Sequence, residues 1–254
     1  MQIDTATDGH VHTFLCHHAR GTMEEYVEAA LGRGLRRIIF LEHLEAGITY
    51  FEPTWLSEED FAFYHAEGLR LQAKYQGRIE IGLGVEAGYN PRKRQEIAAF
   101  LGRRRWDRIG LSYHFLEIGG RHYNVVSKRQ ENLEALAAAG VEKVVDAYLA
   151  GVLEAVTSLP GDVVCHLDAV LRHLPDVRFT EGHHRQIEEI LGAVRRRNMA
   201  LEVNTSGFPL RGEPFPAVPL IARAVEQGIP LAAGSDAHRP EDVGRHFDRL
   251  AALH

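Results

Sequence analysis

The chain has 254 residues, enough to bury a sizeable core as one large α/β domain. At 45% hydrophobic and 25% charged it matches folded soluble proteins, which excludes a disordered, collagen-like or coiled-coil chain. Its 29 Lys and Arg against 35 Asp and Glu leave a formal charge of −6, which disfavours a broad nucleic-acid face.

In chain order, short β-rich runs alternate with longer helical ones, giving seven predicted units. The first strand, Ile3–His12, ends on His10 and His12. It leads to a helix with the apolar stripe Met23, Tyr26, Val27, Ala30 and Leu31, capped by Thr22 and stopped by Gly34. The second strand, Arg37–His43, precedes a helix capped by Ser57 with Asp60. Strands at Ile79–Glu86 and Asp107–His114 follow. A long connection, Phe115–Gly161, is then expected to carry two helices and to act as a specificity insertion or lid. The remaining strands are Asp162–His166, Ala200–Asn204 and Pro230–Asp236. Helical stripes fall at Ile187, Ile190, Leu191 and Val194, at Val218, Ile221, Ala222 and Val225, and at Val243, Phe247 and Leu250. This alternation predicts a parallel sheet, open or closed into a barrel, and no linker or repeat divides residues 1–254 into separate domains.

The composition includes 15 histidines, and their placement carries the chemistry. Six of the seven strands finish with or just before a metal-binding residue type: His10 and His12, His43, Glu86, His114, His166, and Asp236 with His238. The remaining strand ends in Asn204. In a parallel α/β fold the carboxyl ends of the strands share one rim, so these side chains converge. Residues at i and i+2 on a strand face the same way, which pairs His10 with His12 and, if the strand persists, Asp236 with His238. Glu86 shares its face with Gly82 and Gly84, His114 with Gly110 and Ser112, and Asp236 with Ala232 and Gly234. The opposite face carries Ile81, Leu83, Val85, Ile109 and Leu111, so small residues line the inside, as a narrow closed barrel needs.

A lone strand-end histidine is ordinarily a cap or loop residue. An even scatter of 15 histidines does not concentrate them on five strand ends. His65, His173, His183, His184 and His246 read as solvated or structural, and His254 as a tail residue. So many imidazole and carboxylate donors exceed one ion and suit two or three Zn, Mn or Fe ions with Glu86 bridging, which implies hydrolysis. Asp8, on the face of His10, is a candidate to orient an imidazole. Cys16 and Cys165 cannot build a disulfide framework, and no apolar run spans a bilayer or forms a leader after Met1, so the cytoplasm is expected.

The ordered set DGHVH, GVEAG, YHF, CHLD, EVNTSG and GSDAH, running from Asp8 to about Phe247, resembles the PHP superfamily and within it the histidinol phosphatase branch. The resemblance implies a distorted seven-stranded (β/α)7 barrel, TIM-barrel-like, with a trinuclear metal site that hydrolyses phosphoesters. It makes His10, His12, Glu86 and Asp236 the expected ligands of one ion, and Glu86, His114 and His166 those of a second. His18, His43 and His238 form the third set; the residues alone leave His17 and His18 open, and the family spacing selects His18. The second strand departs from the common T-D-H pattern, reading L-E-H at Leu41–His43.

The branch also implies an arginine gripping the substrate phosphate after the CHLD-like motif. Arg172 is that residue here, six positions beyond His166 where five is the pattern, with Arg211 as a second phosphate-binding candidate and Lys128 and Arg20 in reserve. Cys16 and Cys165 receive no chemical role. The implied reaction is attack of a metal-activated hydroxide on L-histidinol phosphate, giving L-histidinol and phosphate in histidine biosynthesis. His238 and Asp236 are the expected catalytic residues, and Glu117 or Glu213 the candidates for the substrate ammonium. Two other readings remain: a PHP phosphoesterase of another small phosphate ester or nucleotide, and a non-catalytic PHP module serving a partner protein. An amidohydrolase barrel would want a lysine ligand and an eighth strand, and neither is found.

Overall fold

The computed structural model describes residues 3–174 and 177–252, so His254 lies outside the described residues. Seven parallel strands form one sheet: β1 (Thr7–Val11), β2 (Arg37–Leu44), β3 (Glu80–Gly88), β4 (Ile109–Ser112), β7 (Val163–Val164), β8 (Ala200–Asn204) and β9 (Leu231–Gly234), in that spatial order. A parallel bridge between Val11 and Ala237 brings the last strand back to the first. The result is the nearly closed, seven-stranded α/β barrel expected from the sequence.

The helices outside it are α1 (Met23–Gly32), α2 (Glu58–Lys74), α3 (Arg94–Leu101), α4 (Gln130–Ala139), α5 (Val141–Ser158), α6 (Glu181–Arg196), α7 (Phe208–Arg211) and α8 (Val218–Glu226). Thr22 with Glu25 and Ser57 with Asp60 form capping boxes that satisfy the first free N–H groups of α1 and α2. The α6 stripe of Ile187, Ile190, Leu191 and Val194 is buried as its spacing predicts. In α8 the buried residues are Leu220, Ile221 and Ala224, so the expected stripe through Val218 and Ala222 is displaced; Val218 starts the helix and is 36% exposed. Among the described residues, no helix is long and apolar enough to cross a membrane.

Three further expectations are corrected. The connection Phe115–Gly161 does carry two helices, α4 and α5, but begins with an antiparallel hairpin, β5 (Phe115–Ile118) and β6 (Arg121–Asn124). Its turn is Gly119-Gly120, both at positive φ, which is a hairpin signal readable in the sequence. Among the described residues no α-helix follows β9: Val243, Phe247 and Leu250 are buried on a segment that forms only short 3-10 turns, Pro240–Asp242 and Phe247–Ala252. Left-handed φ values at Gly244 and His246 interrupt any helix there. The first strand also starts later than Ile3, because the Asp4 carboxylate accepts hydrogen bonds from Ala6 N and the Thr7 hydroxyl and folds the chain before β1.

The barrel interior is narrow. A Cβ on Gly84 would lie 2.6 Å from the Arg108 carbonyl, and one on Gly110 would lie 2.6 Å from Cys165 Sγ, so both strands need glycine at these points. Asp8 closes the barrel rather than orienting an imidazole. It is fully buried, and its carboxylate accepts from Ser235 N at 2.9 Å, the Ser235 hydroxyl at 2.5 Å and Gly244 N at 2.7 Å. Its contact with His10 is through the backbone N–H, at 3.4 Å. Replacing Asp8 by Ala strands these buried donors and is expected to destabilise the fold by about 3 kcal/mol. Thermal unfolding checks this: a Tm lowered by roughly 6 °C or more fits, and an unchanged Tm contradicts it.

Candidate metal centre

A cavity of about 490 Å³ opens at the carboxyl ends of the strands, with His18, His43, Glu86, His114, His166 and His238 among its walls. Parallel pairing delivers these residues to one rim. A register shift between Asp8 and Val11 accompanies the inward placement of His10 and His12. β4, β7 and β9 stop short of their donors, so His114, His166 and Asp236 sit on the turns beyond. His166 at φ 27° and Asp236 at φ 52° adopt positive φ there. Strand geometry therefore does not persist through Ala237, yet Asp236 Oδ1 still lies 3.5 Å from His238 Nδ1.

Glu86 is the hub. Its Oε1 lies 2.8 Å from His166 Nε2 and 3.2 Å from His114 Nε2. Its Oε2 lies 2.9 Å from His43 Nδ1, 3.5 Å from His10 Nε2 and 3.8 Å from His12 Nε2. Asp236 Oδ1 lies 3.3 Å from His12 Nε2 and 4.0 Å from His10 Nε2. His18 is more exposed and closes the rim, its ring 4.5 Å from that of His238 and 5.4 Å from that of His43. His17 instead ends the 3-10 turn Phe14–Cys16, at φ 64°, and is exposed. The structure thus brings every expected donor residue to one place, and His18 rather than His17 to its edge.

The cluster is electrostatically polarised. Burial opposes ionisation of Glu86, but His114, His10 and His43 around it outweigh that and hold its carboxyl well below the usual range. Asp236 is held well below its usual range in the same way, by the His12 hydrogen bond and the charges of His10, His238 and Arg172 against the effect of burial. His43 and His238 are pushed well below the ordinary imidazole value by burial and then by His12. His114 is drawn the other way, to about 10, because Glu86 and Glu45 overcome its burial. The carboxylates therefore attract positive charge to a place where two imidazoles stay neutral.

These residues fit divalent cations. His10, His12 and Asp236 offer ligand atoms within 4.8 Å of one another, as do His43, Glu86 and His114, and His12, His43 and His238. Buried atoms here that make no hydrogen bond include His12 Nδ1, Glu86 Oε2, His166 Nδ1 and His238 Nε2. His10 Nε2 and His12 Nε2 face each other at 2.9 Å, close enough either for one to donate to the other or for both lone pairs to meet a shared cation. The donor set of imidazole nitrogen and carboxylate oxygen suits Zn, Mn or Fe.

Three buried glutamates escaped the sequence reading. Glu45 holds His114 Nδ1 at 2.8 Å, Glu42 accepts from Thr13 N at 2.5 Å beside His12, and Glu202 lies 2.6 Å from His10 Nδ1. Glu202 shares its strand parity with Asn204, so an inward acid on β8 was readable. Cys16 and Cys165 are free and buried, their thiols pushed up by burial.

Arg172 lines the cavity because a 3-10 turn, Ala169–Leu171, absorbs its extra position. Its Nη2 donates to Ser206 Oγ at 3.0 Å and Asp236 Oδ2 at 3.2 Å, while its buried Nε has no partner. Arg211 is placed differently: its guanidinium pairs with buried Asp168 at 2.9 Å and lies 4.0 Å from the Phe215 ring centre. Lys128 and Arg239 reach the cavity wall, whereas Arg20 pairs with exposed Glu241. Glu117 pairs with Arg92 and Glu213 caps Val218 N, and the acids on the cavity wall besides Glu86 and Asp236 are Glu45 and Glu52.

Residues 8–206 match the model of the PHP domain and residues 221–250 that of the PHP-associated segment. A Deinococcus radiodurans protein named probable histidinol-phosphatase is 34% identical over 94% of this chain and 89% of its own length. The crystal structure of a Listeria monocytogenes chain assigned as a histidinol phosphatase superposes with a TM-score of 0.87 at 25% identity, covering 96% of this chain and 99% of that one. A Lactococcus lactis histidinol phosphate phosphatase, crystallised with zinc, L-histidinol and phosphate, has a TM-score of 0.77 at 25% identity over 97% of this chain and 92% of that one. The family match over most of the length, on a seven-stranded barrel whose rim gathers these donors, means that the chain belongs to the PHP family of phosphoesterases, in its histidinol phosphatase branch.

Proposed function

We propose that this hydrolase of phosphoric monoesters acts on L-histidinol phosphate, releasing L-histidinol and phosphate, with two to three Zn, Mn or Fe ions held by the rim residues. The observation that carries this reading is the contact of Arg172 with Asp236 at 3.2 Å, which sets an arginine with an unpartnered buried N–H directly beside the donor cage. The zinc, L-histidinol and phosphate in the Lactococcus lactis enzyme support it.

His10, His12, Glu86 and Asp236 would hold one ion, Glu86, His114 and His166 a second, and His18, His43 and His238 a third. Bound there, divalent ions supply Lewis-acid charge to phosphoryl oxygens and make water nucleophilic at neutral pH. Arg172 offers its free edge to the phosphate, and Asp236 with Ser206 fixes its orientation from the other edge. His238 directs Nδ1 to the Asp236 carbonyl at 3.0 Å, which leaves Nε2 as an acceptor for a cation or a proton. Tyr50 and Phe115, with ring centres 5.0 Å apart, form an aromatic wall on which a flat organic group can pack and exclude water. Two free buried thiols suit a reducing cytoplasm, and the acidic balance disfavours nucleic-acid substrates.

Phosphate release from a panel with Mn, Zn or Fe supplied tests the reading. Histidinol phosphate should exceed mononucleotides by about a hundredfold in kcat/KM. A faster nucleotide or other ester overturns the substrate assignment, and no release from any ester favours a non-catalytic module.

A further inference from the structure

Beneath the cage, on β8, lies a carboxylate that belongs to none of the ligand sets. Glu202 is 3% exposed and points into the barrel. Its Oε1 lies 2.6 Å from His10 Nδ1. Its Oε2 accepts from the backbone N–H of His166 at 2.8 Å and from Asn204 Nδ2 at 3.1 Å. One buried side chain therefore touches residues assigned to two different ions, through the imidazole of the first and the main chain of the second.

We propose that Glu202 is a positioning residue that locks His10 and His166 together, so that the first and second ions are bound as a coupled pair. The proposal rests on the ligand sets given above. An imidazole that donates Nδ1–H to a carboxylate keeps its Nε2 lone pair free for a cation, and the partner negative charge strengthens that lone pair as a ligand. His10 Nε2 is the atom that faces His12 and Glu86. His166 sits at φ 27°, a backbone conformation that a non-glycine residue holds only under outside constraint, and the bond from its N–H to Glu202 is such a constraint.

The rest of the barrel is shaped to admit this carboxylate. A Cβ at Gly234, on the neighbouring strand, would lie 2.3 Å from Glu202 Oε1 and 2.8 Å from His10 Cβ. Glycine at that position leaves room for the acid and the imidazole side by side. The link also continues upward: Asn204 Oδ1 accepts from the Ser206 hydroxyl at 2.5 Å, and Ser206 Oγ in turn accepts from Arg172 Nη2 at 3.0 Å. Glu45 backs only His114 and so serves as the comparison, a carboxylate behind a single ligand.

The test is zinc binding by the full chain, stripped with a chelator and titrated in competition with a chromogenic chelator, with ions per chain counted after dialysis. Glu202→Gln keeps the shape but loses the charge and presents an amide to three groups that donate to the carboxylate. It should bind zinc about 10- to 100-fold more weakly and lose ions of both coupled sites together. Gly234→Ala, which displaces the carboxylate without removing it, should weaken binding in the same direction by about tenfold. Glu45→Gln, which touches a single ligand, should weaken zinc binding by less than Glu202→Gln does. A purely structural residue would lower the Tm of the stripped chain and leave zinc affinity unchanged. If folded Glu202→Gln or Gly234→Ala protein matches the wild type in affinity and ion count, the positioning role is wrong while the cage itself stands. If the wild type binds no zinc, the cage and this proposal fall together.

Discussion

Replacing Glu86 with alanine is expected to remove bound metal and turnover together, with kcat/KM falling at least about a thousandfold, or ~4 kcal/mol of transition-state stabilisation. Glu86 is completely buried, and His10, His12, His43, His114 and His166 all approach its two oxygens. Among the described residues no other carboxylate touches so many of the donors, so its loss leaves imidazoles that repel one another once charged, with Asp236 reaching only His10, His12 and His238. Elemental analysis and phosphate release on the same preparation check this. His65→Ala is the matched control: that ring packs 5.0 Å from Trp106 and 5.3 Å from Tyr64, on α2 outside the barrel, and its removal should change neither readout. Equal effects from the two substitutions would refute the site map.

The second large effect is expected at Arg172. Arg172→Ala should lower kcat/KM by about a hundredfold or more, since in the proposed reading it removes a charge-assisted fork from the phosphate. Arg172→Lys should recover only part of that, because an ammonium cannot hold Asp236 and Ser206 on one edge while presenting another to substrate. Metal content should survive both changes. Arg211→Ala should behave differently: Asp168 is 1% exposed and would be left an unpaired buried charge, so stability should fall by about 3 kcal/mol. Steady-state kinetics with thermal unfolding on the three variants separates the two arginines. A greater kinetic loss in Arg211→Ala than in Arg172→Ala would reverse their roles.

Much of the barrel and its rim could be read from residue types alone, because strand period and parallel topology are local consequences of sequence. Imidazoles at strand ends can converge only where those ends share a rim, and small residues at Gly84, Gly110 and Gly234 mark the inner face. What escaped depended on contacts distant in sequence. Asp8 looked like a possible partner of an imidazole, yet its acceptors are satisfied by Ser235 and Gly244 on the far end of the chain. Val243, Phe247 and Leu250 have helical spacing, but Gly244 and His246 at positive φ prevent the helix. Glu42, Glu45 and Glu202 are acids, and an acid in a sequence reads as solvated until a buried donor is found beside it. The 3-10 turn Ala169–Leu171 that carries Arg172 to the cavity wall has no signal in the sequence.

Anomalous diffraction from crystals soaked in zinc, recorded on both sides of the zinc edge, tests the central claim most directly. The account predicts two or three peaks among His10, His12, His18, His43, Glu86, His114, His166, Asp236 and His238, each within bonding distance of imidazole nitrogen or carboxylate oxygen. Peaks only elsewhere on the molecule, or none under saturating zinc, would contradict it.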